Sequence, residues 1–204
     1  MVNMSSSLLT ISHKFNLHHH KQIMKKFLTS VIAGASVIFT PGSALAGNTY
    51  EDHVDLFNAL NEVGIIVSIN SKLHCNSGAD GLYHTRTGML IVCQDNGVAG
   101  GPQVTWTEND LDTLRHESHH VVQDCNEGTI ADGLMDNLFH EEQELIDFIS
   151  KSSLSAEDVK NLVSVLEQDG LSARSILIEI EAYIVARDIE ASTIADKVRE
   201  FCTF

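Results

Sequence analysis

The 204-residue chain has no apolar run of the roughly 20 residues that a membrane-spanning helix requires. It also has no C-x-x-C pair, so its four cysteines do not suggest a four-cysteine zinc site. The glycine-rich stretch NGVAGGPQ at 96–103 lacks a lysine and the Walker spacing, and reads as a connector rather than a phosphate cradle. Internal repeats and low-complexity segments are absent too. Positive charge is scarce: 13 Lys and Arg stand against 28 Asp and Glu, a formal net charge of −15. Such a surface repels nucleic acid and anionic membrane, and favours solubility or cationic partners. The acidic residues are dispersed rather than blocked, which is the pattern of a solvated face and names no substrate.

No acidic residue occurs before position 47. From Met24, Lys25 and Lys26 form a positive n-region, Phe27 to Thr40 a short apolar run, and Ala44-Leu45-Ala46 an A-x-A cleavage site. Residues 1–46 are therefore expected to be a signal-peptide region, with the start at Met24 and cleavage after Ala46. The His18-His19-His20 run would be lost with it. What remains, 47–204, is enough for one domain with a substantial core. Its 9 Lys and Arg against 28 Asp and Glu give a formal charge of −19. An even cysteine count in an exported chain suggests two disulfides. The expected location is secreted or periplasmic, with no integral membrane segment after cleavage.

Apolar residues at 54, 56, 57, 60 and 63 have helical spacing, and Gly64 ends that helix. Ile65 to Ile69 reads as a strand. Residues 81–93 read as two short strands joined at Arg86-Thr87-Gly88, or one bent strand. Thr107-Glu108-Asn109-Asp110 is a capping-box-like start for a helix through about Asp124. Three more helical segments follow: Leu134 to Ile149, Ala156 to Gln168 after a Ser155 cap, and one from Ala173 after a Ser172 cap. Ser192-Thr193 with Asp196 predicts a break before a last short helix. Strands precede helices rather than alternating with them, so the fold class is α+β.

The central helix contains RHESHH, 115–120. His116, Glu117 and His120 satisfy H-E-x-x-H. Residues four apart share one helix face, so His116 and His120 can direct imidazole nitrogens at one ion. Glu117, about 100° round the helix, stands off the ligand line, where a general base can reach water on the metal.

On these residues the helix resembles the active-site helix of the zincin metallopeptidases, in which an upstream mixed sheet with a cleft-lining edge strand leads into the H-E-x-x-H helix. The resemblance implies a zincin-like domain, a Zn2+ cofactor, and a peptide or protein substrate hydrolysed by metal-activated water with Glu117 as base. Metzincins carry Gly and His where Gln123 and Asn126 stand, so that group is excluded. The thermolysin-like E-x-x-x-D spacing is not met by His140, Glu141, Glu142 and Glu144, and Gly128 to Asp132 is one residue too long for the aspzincin pattern. Glu181 is the preferred third ligand, because its pairing with Ala182 resembles the glutamate-ligand helix of gluzincins and an unpaired carboxylate among Ile178, Ile180, Ile184 and Val185 is costly. Glu144, Asp132 and Glu179 are the alternatives. Failing ligation, Glu181 would be half-exposed and bridged to Arg174 or Arg187.

Tyr183 leads the candidates for a transition-state stabiliser, with His119, His84 and Tyr83 also available. His119 is expected to make a supporting or surface contact rather than bind metal. His53, His74 and His140 read as surface or loop residues, and Trp106 as a core anchor. Bridging Cys75 to Cys93 closes a local loop around the strand pair, which leaves Cys125 for Cys202. That second bridge requires the C-terminal helix to turn back, as a break at Ser192-Thr193 permits. The competing reading of the whole is a non-catalytic zincin-like metal-binding or protein-interaction domain.

Overall fold

The computed structural model describes residues 49–202 apart from 77 and 140. The signal-peptide expectation for 1–46 and the reading of His140 lie outside the described residues. Those residues form a mixed α/β fold of one small sheet and six α-helices: α1 (Val54–Glu62), β1 (Ile66–Ile69), β2 (Gly81–His84), β3 (Met89–Val92), α2 (Glu108–Asn126), α3 (Glu142–Lys151), α4 (Ala156–Gln168), α5 (Ala173–Asp188) and α6 (Ala191–Phe201). None of these helices is long and apolar enough to cross a membrane.

The sheet order is β1-β3-β2, with β1 parallel and β2 antiparallel to β3. Residues 81–93 are thus two strands with a turn between them, and β2 is left on an edge. A buried amide pair holds the glycine-rich connector against the sheet. Asn70 Nδ2 donates to Gln94 Oε1 (3.1 Å) and to the Pro102 carbonyl, while Gln94 Nε2 donates to the Val104 carbonyl and Gln94 Oε1 accepts the Val104 N–H. These buried hydrogen bonds tie the end of the segment to the sheet.

Two apolar clusters divide the interior. One packs the inner face of the sheet against α1, α2 and α6, with Leu56, Leu60, Leu90, Leu114, Val121 and Ile194 fully or almost fully buried. The other joins α3, α4 and α5 through Ile149, Val163, Ile176, Ile180 and Ile184. Helix α5 lies between α2 and α4, which is why nine of its sixteen residues are buried. The capping box at Thr107 forms as the sequence predicts: Asp110 N–H donates to Thr107 Oγ1 and Thr107 N–H to the Asp110 carboxylate. Ser155 and Ser172 cap α4 and α5.

Three expectations are corrected. Residues 134–139 are not helical, because their main chain finds other partners: Asp136 N–H donates to the Gln123 carbonyl and Leu138 N–H to Glu181. The break before the last helix falls at Ile189 and Glu190, both extended, rather than at Ser192-Thr193. The apolar face of α6 (Ala191, Ile194, Ala195 and Val198) must start that early to meet the first cluster, so packing overrides the local capping signal. His53 is fully buried rather than superficial. Its Nδ1–H donates to the Thr49 carbonyl, and its Nε2 accepts from Arg115. Burial and the Arg115 charge hold its pKa below the usual histidine value, despite the opposing hydrogen bond.

Both disulfides are present as paired from the sequence, Cys75–Cys93 and Cys125–Cys202. The second closes a loop across 77 positions and ties the end of α2 to the end of α6. The first places Cys93 where its N–H donates to the Asp80 carbonyl, steadying the start of the edge strand.

Candidate metal centre

Helix α2 positions His116 and His120 one turn apart, as the H-E-x-x-H spacing requires. Their Nε2 atoms face one another at 3.1 Å. The third group to meet them is Glu179, whose Oε2 lies 3.2 Å from His116 Nε2 and 3.6 Å from His120 Nε2. Ligand bonds of about 2.0–2.2 Å at tetrahedral angles put neighbouring donor atoms about 3.3–3.6 Å apart. The three observed separations bracket that range, and among the described residues this is the group that could hold a metal ion.

Glu181 is therefore not the carboxylate beside the histidines. Two residues apart on one helix, Glu179 and Glu181 point about 200° from each other. Glu181 is 1% exposed and accepts from His119 Nε2–H (2.7 Å) and from the Leu138 N–H (3.0 Å). It bridges neither Arg174 nor Arg187; Arg174 instead pairs with Glu127 and Asp136. The signal that singles out Glu179 was available. A carboxylate sharing the face of Tyr183 must lie three or four positions away, and Glu179 does. Glu144 and Asp132 are not in the donor group.

Gln123, which served only to exclude the metzincin pattern, has a role here. Completely buried, it accepts the His120 Nδ1–H at 2.7 Å and donates to the Ile178 carbonyl at 3.1 Å. That fixes the His120 ring so that Nε2 faces Glu179 and His116, an outer contact of the kind that orients metal-binding imidazoles.

The donor group carries a proton in the absence of metal. Burial disfavours charge on both rings. At His120 the adjoining carboxylates Glu179 and Glu117 outweigh burial and hold its pKa up to about 9. At His116 burial prevails, aided by the His120 charge, and the pKa falls to about 4. Burial would raise Glu179, but hydrogen bonds from both imidazoles keep it well below the usual carboxylate range.

Glu117 stands beside this group at 7% exposure, with its pKa pushed up to about 7 by burial against the opposing His120 charge. It packs directly under β2. A Cβ on Gly81 would lie 2.5 Å from Thr113 Cγ2 and 3.0 Å from Glu117 Oε1, so only glycine allows the strand this close. Gly81→Ala is expected to destabilise the fold by about 1–3 kcal/mol, read as a lowered urea midpoint, through overpacking against a stiff β-branched neighbour.

The cleft above the donors encloses about 530 Å³ and is lined on one side by Asp80 to Tyr83, with Met135, Leu154, Tyr183 and Arg187 around it. Of the proposed oxyanion donors, Tyr83 spends its hydroxyl on Asp124 (2.6 Å) and His119 is engaged by Glu181. His84 is not among the residues lining the cleft. Tyr183 is 47% exposed, with its ring edge-on to His116 at 4.7 Å. Trp106 packs against Tyr50 and Phe57, as a core anchor should.

A mixed α/β domain with a His-His-Glu donor group, a buried carboxylate beside it and an edge strand over the cleft is the class that fold and site define. Residues 26–203 match the family described as Domain of unknown function (DUF8637), and the chain belongs to that family. No curated protein and no solved structure matches it.

Proposed function

We propose that the protein is an exported zinc-dependent peptidase of zincin type, with His116, His120 and Glu179 as metal ligands and Glu117 as general base. The observation that carries the reading is the spacing of two imidazole nitrogens and one carboxylate oxygen at tetrahedral separations, with a second, buried carboxylate facing the same cleft. Two nitrogens and an oxygen with an open fourth position suit zinc better than the octahedral all-oxygen sites of magnesium or calcium. Zinc bound there would lower the pKa of a coordinated water and polarise a carbonyl. Glu117, which is not among the donors but lines the same cleft beside them, would take the proton from that water and return it to the leaving amine. Tyr183 offers its hydroxyl to the developing oxyanion from the open side of the cleft. The outer edge of β2, which pairs with no other strand among the described residues, could align an extended peptide by main-chain hydrogen bonds. Two disulfides and the N-terminal export pattern support a secreted or periplasmic location.

The test is one equivalent of zinc per chain together with chelator-sensitive cleavage of a peptide library. Zinc binding with an intact library would favour the non-catalytic metal-binding alternative, and no metal binding at all would sink the peptidase and leave a protein-interaction domain. Because His120 holds a proton up to about pH 9 without metal, binding must displace it. Zinc affinity is expected to fall about tenfold per pH unit below 9, with about one proton released at pH 8, measurable by calorimetry in buffers of different ionisation enthalpy. An affinity flat from pH 7 to 9 would count against this protonation scheme.

A further inference from the structure

Helix α5 grips α2 from two flanks. On the cleft side Glu179 meets His116 and His120; on the far side Glu181 accepts the His119 Nε2–H. Between them Gln123 donates to the Ile178 carbonyl, and about two turns away along both helices Arg115 Nε–H donates to the Ala186 carbonyl. The far-side pair is deeply buried, its two side chains 5% and 1% exposed, and both Glu181 oxygens accept hydrogen bonds. A buried polar pair of this kind is costly to desolvate and contributes little stability that an apolar pair could not. What it supplies is orientation. A carboxylate about 6 Å from a helix axis moves roughly 2 Å for a 20° rotation of that helix. That displacement is about ten times the tolerance of a metal–ligand bond. The same carboxylate holds the Leu138 N–H, and so anchors the segment whose Met135 lines the cleft.

We propose that His119 and Glu181 are positioning residues for the metal centre: their hydrogen bond fixes the rotation of α5 on α2 so that Glu179 keeps coordinating distance from His116 and His120, and the Leu138 contact sets the cleft wall. This rests on the metal-binding reading above. It also explains why His119 interrupts the H-E-x-x-H motif on a face that no ligand occupies.

The experiment measures Zn2+ affinity by chelator competition, and the visible absorption of bound Co2+, in the full chain and its variants. His119→Ala and Glu181→Ala are expected to bind zinc about 10–100-fold more weakly, the range for loss of an outer contact that orients ligands. Their Co2+ bands should change, and the Leu138 amide of Glu181→Ala should exchange faster. Glu181→Gln, whose carbonyl oxygen can accept the Leu138 N–H while its amide N–H donates to Nε2 of His119 in the other tautomer, should stay within about threefold of wild type. In a Glu179→Gln background the additional loss from His119→Ala should shrink below about threefold, because the pair acts through Glu179. Equal losses in both backgrounds mean a general structural role and overturn the proposal. Glu181→Leu keeps the volume without the hydrogen bonds; should the alanine variants not fold, a folded Glu181→Leu with wild-type zinc affinity overturns it as well. A wild type that binds neither metal overturns the metal reading, and this proposal with it.

Discussion

Glu117→Gln is expected to lower peptide hydrolysis by about 10²–10⁴-fold while one equivalent of zinc remains bound. The amide is nearly isosteric with the carboxyl, so it fits the slot beneath Gly81 that admits no added atom. It cannot accept a proton from water at any working pH. Glu117 is not among the three donors, so metal stoichiometry should be unchanged. Stability gives a second readout on the metal-free protein. The folded-state pKa of Glu117 is raised from 4.5 to about 7, so the stability it contributes is complete below about 4.5 and is lost as pH rises through about 7. The Gln variant should lack that loss, and its urea midpoint should gain on the wild type between pH 4.5 and 7. Hydrolysis that survives in Glu117→Gln would remove this carboxylate from the mechanism.

Glu179→Gln should weaken zinc binding by more than about 100-fold, beyond the 10–100-fold typical of outer contacts, whereas Glu181→Gln should leave it nearly intact. The ordering discriminates between two glutamates that composition alone makes equivalent. In Glu179→Gln the anionic donor between the two imidazoles is gone, and with it the main partner holding the His120 pKa up to about 9. The metal-free variant should therefore titrate His120 at lower pH, visible as a shift of its ring proton resonances. The reverse affinity ordering would restore Glu181 as the ligand and require α5 to turn on α2.

Much of this was legible because it is local. A capping box needs residues three apart, and Thr107 with Asp110 supplied it. A pair of imidazoles on one helix face needs residues four apart, and His116 with His120 supplied that. The disulfides followed from chain order once the C-terminal helix was allowed to turn back. The misread features are those decided between elements. Residues 134–139 carry a helical apolar pattern, yet the N–H groups of Asp136 and Leu138 are taken by Gln123 and Glu181 from other helices. The last helix begins where its apolar face meets α1 and α2, before the Ser-Thr signal.

The two glutamates of α5 mark the boundary most clearly. The sequence by itself determined a helix with a carboxylate on each of two opposite faces, and that a buried carboxylate there requires a partner. It also determined the H-E-x-x-H helix and the two cysteine pairs. Only the tertiary structure decided which face of α5 turns toward His116 and His120 and which toward His119. Helical periodicity gives the angle between side chains on one helix, but the rotation of that helix against another depends on every contact along both.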